Sequence, residues 1–507
     1  MLEQVQQRVR AHDRYQVEFK LDYELLPRQQ TRYKITTYIF IPHSLNINSN
    51  TYTKAEFYRD LQNYVRLKTP SFTLQDLLAL PTSPLVRIGE ILCDPDWSDE
   101  PANREHLVNS FKFLRAMLKS SLRNHLYLIQ SQGRGAVESA ERTQRICLLV
   151  NELLDKTSTI VMRYRHYSHE LAQANVAQRV WHSYRLTDES ISLVVEESLV
   201  DAFQLLDSLL PMPDRADLQA KISQQVQAEI FHRQNSQYNS LLQPAGDNQA
   251  FLFRASVLKK FTSSVLYLAL VVKPEGTAIE QLLYAVAAGL AMTFATIIAF
   301  YFQSRFGTFT FPVFVALVVG YMFKDRIKEL AKLFFAQHLQ SFLYNRRTLV
   351  KTLDGAYQLG FLREKVTLMT ESAMPPAVVA VRNRGLFTEV DNDGQAEHVI
   401  CYTKEVVLDT EAFNHIDTGG PPITGVNDIM RFDVRPYLRK MDDPVERRPY
   451  LQNGELRIAE CAKIYYVNFV TVYTTAEAQT AVTVERTLLT LTRDGIQQVE
   501  QVSSQDG

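Results

Sequence analysis

The stretch 281–304, QLLYAVAAGLAMTFATIIAFYFQS, decides how the rest of the chain is read. From Gln281 to Ser304 it holds 24 consecutive residues without a charged side chain. Wound as an α-helix it would be about 36 Å long, enough to cross the roughly 30 Å hydrocarbon core of a bilayer. Arg305 interrupts the run, and a second uncharged stretch of 18 residues follows from Phe306 to Phe323. That helix would reach only about 27 Å, so it would depend on Lys324 and Arg326 extending their charged ends to the headgroups. Gly307 supplies a turn, and Pro312 falls near the start of the second run, where a missing N–H does least harm. Tyr284, Tyr301, Phe302, Phe306 and Tyr321 lie near the ends of the runs, as interfacial aromatics do. The expectation is a transmembrane hairpin over 277–324, with spans at 281–304 and 306–323. The competing explanation is a helical hairpin buried in a soluble core, where two adjacent uncharged runs of this length are unusual. A signal peptide does not fit a mid-chain position behind a polar N-terminus.

Flanking charge gives the orientation. Arg254, Lys259, Lys260 and Lys273 precede the hairpin, Lys324, Arg326, Lys328 and Lys332 follow it, and the turn carries Arg305 alone. The bias toward basic residues on the cytoplasmic side then places both flanks, and both termini, in the cytoplasm, with an inner cell membrane as the expected location. Ala287, Ala291, Ala295 and Ala299 recur every four residues on the first run, and Ala316 and Gly320 do so on the second. Small residues at this spacing let helix backbones approach closely in lipid, within the hairpin or between copies. Neither span holds an ionisable residue, which disfavours a proton relay or ion pathway and leaves an oligomeric channel as a distant alternative.

Composition is consistent with folded bodies on either side. The chain has 507 residues, 46% hydrophobic and 22% charged, so wholesale disorder is excluded. A formal charge of -1 provides no field to attract nucleic acid, and no nucleic-acid partner is expected. The 4 cysteines stand alone, which argues against a disulfide framework or a Cys-based zinc site.

The fold class expected is an α+β membrane protein. An N-terminal α/β region (1–100) opens with alternation over Tyr15–Tyr23, a second strand over 32–41, and a helix capped at Thr53 with Glu56 at capping-box spacing. A helical cytoplasmic region (101–276) follows, with apolar periods over 103–129, 141–175, 187–210 and 214–235, broken at Pro211 and Pro213. A juxtamembrane helix (325–374) is expected, the basic run KDRIKELAKLFF continuing the second span into the cytoplasm towards about residue 352. The β-rich region (375–507) shows strands at 398–408, 462–473 and 481–492, an Asp494-Gly495 turn, and a long irregular insertion at 412–456. A lone pair of N-terminal strands is marginal, so residues 14–41 are expected to join the C-terminal sheet.

No P-loop, GxGxxG, GxSxG, HExxH or kinase signature occurs, and no catalytic residue, cofactor or metal is assigned. His166 and His169, with Glu170 beside them and His182 further on, lack a clear third ligand and read best as ordinary histidines. Asp391, Asp393 and Gly394 read better as a turn than as a calcium loop. Arg431, Arg435, Arg439 and Lys440 would gather on one side of a helical or turned segment, where they could contact a phosphate or an anionic lipid headgroup; Asp433, Asp442, Asp443 and Glu446 are near enough to neutralise them. Lys112, Arg115, Lys119 and Arg123 form a basic stripe on the helix face opposite the leucines, suited to solvent or to an anionic leaflet. The functional expectation is a multi-pass membrane-anchored scaffold, sensor or assembly subunit, with the bilayer, anionic headgroups and a protein partner or second copy as its contacts. The alternative is a membrane-anchored enzyme acting on a phosphate-bearing ligand.

Overall fold

Period-2 alternation at the N-terminus produces long strands because one face of each is covered. In the computed structural model, which describes residues 5–26, 30–94, 97–98, 100–132, 139–173, 177–307, 310–339, 343–369, 373–383, 397–416, 422–475 and 483–502, these are β1 (Val5–Ala11), β2 (Gln16–Glu24) and β3 (Gln30–Ile41). Helix α1 (Lys54–Asp60) starts at a complete capping box: Thr53 N donates to the Glu56 carboxylate at 2.7 Å and Glu56 N donates to Thr53 Oγ1 at 3.3 Å. It runs into β4 (Leu61–Leu67).

The helical region comprises α2 (Leu74–Ala79), α3 (Pro84–Leu92), α4 (Pro101–Gln132), α5 (Ser139–Gln173), α6 (Gln178–Leu209), α7 (Met212–Asn235) and α8 (Gln249–Ser263). Apolar residues at three- and four-residue spacing on α4 to α6 meet in one core, where Phe111 packs on the stacked rings of Tyr164 and Tyr184, 4.9 Å apart. Phe113 and Ala116 on the opposite side of α4 join the core of the β-sheets, so the bundle rests against them.

After α8 come β5 (Ala269–Pro274), α9 (Thr277–Phe306), α10 (Phe311–Leu339), β6 (Arg346–Lys351), β7 (Gln358–Met369), α11 (Pro376–Arg382), β8 (His398–Asp409), β9 (Gly425–Asp433), β10 (Val445–Gln452), β11 (Glu455–Ala462), β12 (Tyr465–Thr475), β13 (Thr483–Thr492) and β14 (Gly495–Val502). Eight strands form an antiparallel sheet in the order β14-β13-β12-β3-β8-β7-β6-β5. Four more form a second sheet in the order β1-β2-β9-β4. The N-terminal strands are therefore built into the C-terminal sheets: β3 lies between β12 and β8, and β2 pairs with β9. The sheets share a core in which Phe19 and Phe432 of the smaller approach Phe469 of the larger at 5.1 and 5.9 Å between ring centroids. Each such ring, fully withdrawn from water, contributes about 1.5–3 kcal/mol. Short α11 covers Tyr38, Phe40, Cys401 and Val470 on the other face of the large sheet.

The helix expected from 325 onward is present as the continuation of α10 and is shorter than expected: it ends at Leu339, and the β6–β7 hairpin comes after it, its residues alternating inward and outward. One expectation about the chain's organisation is overturned. The expected irregular insertion of 412–456 contains β9, a central strand buried on both faces, and the first strand of a ribbon. That ribbon, β10–β11, is a two-stranded sheet exposed along almost its whole length; Val445, Pro449, Leu451, Leu456, Ile458 and Ala462 share one face.

Helices α9 and α10 are inserted at the edge of the large sheet. Strands β5 and β6 are neighbours, with Pro274 opposite Arg346, so the chain leaves and rejoins the sheet at one place. Among the described residues one helix is long and apolar enough to cross a membrane, Gln281–Phe306 of α9. A second span over 306–323 is not shown. Phe306 ends α9, Gly307 takes a left-handed φ of 79°, and α10 starts at Phe311 with Pro312 in its first turn. Within that run α10 supplies residues 311–323, about 20 Å of helix, before Lys324 begins a charged stretch.

Candidate functional site

α9 and α10 pack chiefly on one another, running antiparallel. A Cβ placed on Gly320 would lie 3.7 Å from Ile298 Cγ2 and 3.9 Å from the Ala295 carbonyl oxygen, and Lys332 Nζ lies 5.3 Å from the centre of the Tyr284 ring. These contacts fix which residues stand level. The small-residue stripe lies between the helices: Ala287, Ala291, Ala316 and Gly320 are buried, and Ala295 and Ala299 are half-buried. Among the described side chains, much of the rest of the pair faces outward. Leu282, Leu290, Ile297, Phe300, Phe311, Phe314, Tyr321 and Met322 are each more than half exposed. Phe294, Ile298, Phe302, Phe311, Val315 and Phe323 line a wholly apolar groove of about 530 Å³ between the helices. At the tip Arg305 donates to Tyr301 Oη at 3.0 Å. Thr293 and Thr296 donate to carbonyl oxygens one turn back, at 2.9 and 2.8 Å, so their hydroxyls present no free donor.

A second feature is a cleft of about 570 Å³ where α4 and the start of α6 meet the β6–β7 turn. Lys112 reaches into it, donating to Ser264 Oγ at 3.1 Å with its ammonium 4.7 Å from the centre of the Phe261 ring. Burial, and then the charge of Arg179, push the Lys112 ammonium pKa down. Arg179 lines the cleft, as do His106, Glu105, and the parallel rings of Tyr357 and His415, 4.8 Å apart. Asp354 is occupied: its carboxylate accepts from the Thr352 hydroxyl and from Ala356 N, bonds that hold its pKa below the ordinary value. The cleft thus brings together two cations, the carboxylates of Glu105 and Asp354 and a flat aromatic wall, within the size range of small-molecule sites.

The basic stripe of α4 does not form one solvent face. Lys112 belongs to the cleft, Arg115 is buried and donates to Ser190 Oγ at 3.0 Å, Lys119 pairs with Glu197 at 3.1 Å, and Arg123 is exposed. Burial pushes the Arg115 guanidinium down to about 10. The Arg431–Lys440 cluster is likewise divided. Arg431 sits on strand β9, donates to Glu18 at 2.9 Å and lies over Tyr64. Lys440 donates to the Asn46 carbonyl at 2.9 Å. Arg435, bound to Asp433, and Arg439, which makes no ion pair among the described residues, line a shallow pocket of about 310 Å³ with Arg493 and Tyr15. The strand conformation of Arg431 is what prevents the gathering expected for a helix. His166 and His169 lie 6.1 Å apart, and no group of three or more potential metal ligands occurs among the described residues. Asp391, Asp393 and Gly394 lie outside the described residues.

Two buried charge networks escaped the sequence reading. In the bundle, Asp188 is bonded to His232 Nε2 at 2.7 Å, Tyr238 Oη at 2.9 Å and Arg165 Nε at 3.1 Å, and Arg165 forks onto Glu229. Burial alone would raise the Asp188 pKa; the His232 bond and the Arg165 charge outweigh it and hold it low. Every partner is satisfied, so this network clamps α5, α6 and α7 together. Between the sheets, Lys404 of β8 pairs with Asp428 of β9, while Glu364 accepts from Arg346 at 2.6 Å, Asn63 at 2.8 Å and Tyr402 at 2.5 Å. The inward position of Lys404, between Tyr402 and Val406, was the legible sign: a lysine on the core side of an alternating strand requires a buried partner. Compared with models of known protein families and with curated proteins, the chain matches none.

Proposed function

We propose that the α9–α10 pair is inserted in a lipid bilayer and holds the rest of the chain, both arms included, on the cytoplasmic side as a membrane-anchored scaffold, sensor or assembly subunit. The observation that carries this reading is the pair's outward surface, overwhelmingly apolar over 294–302 and 311–323. Monomeric soluble proteins rarely leave so large a contiguous apolar patch in water. Lipid removes the penalty without any complementary protein shape. The shared root of the helices at Pro274 and Arg346 supports both arms lying on one side. The test is co-flotation of the full chain with phosphatidylcholine liposomes. Replacing the outward-facing Ile297 and Leu317 by Lys is expected to abolish flotation while the circular-dichroism spectrum of the rest persists; flotation unchanged by both charges would contradict the reading.

A second reading rests on the cleft. Lys112 and Arg179 converging beside an aromatic wall favour a phosphate-bearing ligand there, bound or processed by a membrane-held body. Equilibrium dialysis with inorganic phosphate is the probe: saturable binding lost in Lys112→Met supports it, and binding equal in the two proteins removes it.

A further inference from the structure

We infer that the depth of insertion is set by α10 rather than α9, so that the bilayer around the protein is thinned to about 20 Å of hydrocarbon, with residues 281–290 of α9 lying at headgroup level. This rests on the membrane reading above and makes it specific.

On α9 alone, the uncharged run 281–304 would fill an ordinary bilayer core. The partner helix does not allow it. With Ala295 beside Gly320 and Tyr284 beside Lys332, Ala291 stands level with about Lys324, and Val286 with about Glu329. The root half of α9 is therefore flanked by Lys324, Asp325, Arg326, Lys328, Glu329 and Lys332 of α10. Asp325, Arg326 and Glu329 are exposed, turned away from α9. Drawing all of α9 into hydrocarbon would draw these charges with it, and the two carboxylates have short stems that cannot reach far toward water.

The side chains at the two proposed boundaries fit interfaces. At the root, the Lys324 ammonium lies 3.8 Å from the centre of the Tyr321 ring and Lys332 lies over Tyr284, cation and aromatic together at headgroup depth. At the tip, Arg305 donates to Tyr301 Oη, with Gln303 and Ser304 adjacent. Between Lys324 and the tip, α10 offers only 311–323, about 20 Å. A bilayer meets a short apolar segment by thinning and by letting flanking cations extend to its surface.

The experiment uses the full chain with Cys93, Cys147 and Cys461 changed to Ser, buried Cys401 left in place, and a nitroxide on Val286→Cys or Ile297→Cys, both outward-facing, in dioleoyl-phosphatidylcholine vesicles. The expected result is a label at 286 several-fold more accessible to an aqueous nickel chelate than to oxygen, and the reverse at 297. In a second protein carrying Asp325→Leu, Arg326→Leu, Lys328→Leu and Glu329→Leu, the label at 286 should shift to oxygen accessibility. A label at 286 already as oxygen-accessible and chelate-shielded as that at 297 would overturn the depth assignment and leave the anchor standing. Both labels reached by the chelate would overturn the anchor itself.

Discussion

Lys404 and Asp428, both wholly buried, form an ion pair that bridges the two sheets, one residue from β8 and the other from β9. Each charge has left water, and each is tolerated because the other is there.

Removing one partner should therefore cost far more than removing both. Lys404→Met leaves the Asp428 carboxylate unpaired and should destabilise the protein by about 3–5 kcal/mol, while Lys404→Met with Asp428→Leu should recover most of that loss. Burial already pushes the Asp428 pKa up despite Lys404, and without the lysine it rises further. A carboxyl with a raised folded pKa stabilises below its unfolded value and loses that contribution as pH rises, so the single variant should be relatively more stable near pH 4 than at pH 7. Denaturant titrations at the two pH values check this; a double variant as unstable as the single would contradict it.

Two other buried carboxyls act in the opposite sense to Asp428. Asp188 and Glu364 have depressed pKa values: burial opposes ionisation, but His232 and Arg165 at the first, and Arg346 and Lys404 at the second, prevail. Groups of this kind stabilise above their unfolded pKa, about 4, and lose the contribution as pH falls through the depressed folded value. Melting temperature should fall progressively below about pH 4.5, and Glu364→Gln should flatten that fall while lowering stability at pH 7. A fall in Glu364→Gln as steep as in the unsubstituted protein would contradict the role given to Glu364.

One distinction separates the elements legible in the sequence from those that were not. Strands β2, β3, β8, β12 and β13 were legible because burial imposes period-2 or fully apolar patterns, and α4 to α7 because their buried faces recur every three or four residues. β1 and β4 were missed: VQQRVRA and LQNYVRL are polar strands at the outside of the small sheet, held by their neighbours. β9 was missed for another reason. GVNDIMRFD reads as a loop, yet Asp428 has its partner in Lys404, far away in sequence. The same blindness applied to the site. The alanine stripe was visible as spacing, but the charged flank of α10 could be placed beside α9 only once Gly320 met Ala295 and Lys332 met Tyr284. The cleft joins residues from α4, α6 and the β6–β7 turn, and no local pattern announces it.

The β10–β11 ribbon should be dispensable for folding. Its strands touch little besides each other, with Leu451, Leu456 and Ile458 at 74%, 72% and 66% exposure. Replacing residues 446–461 by a short Gly/Ser turn should change stability by no more than about 0.5 kcal/mol in denaturant unfolding. A loss of several kcal/mol would mean that the ribbon is integral to the sheets.

The placement of the oily helices in lipid bears everything else. The most direct measurement is alkaline carbonate extraction of membranes from cells expressing the full chain, with a reporter on each terminus. The account predicts that the protein stays with the membrane pellet and that both reporters are active on the cytoplasmic side; release of the intact protein into the carbonate supernatant, or reporters on opposite sides, would contradict it.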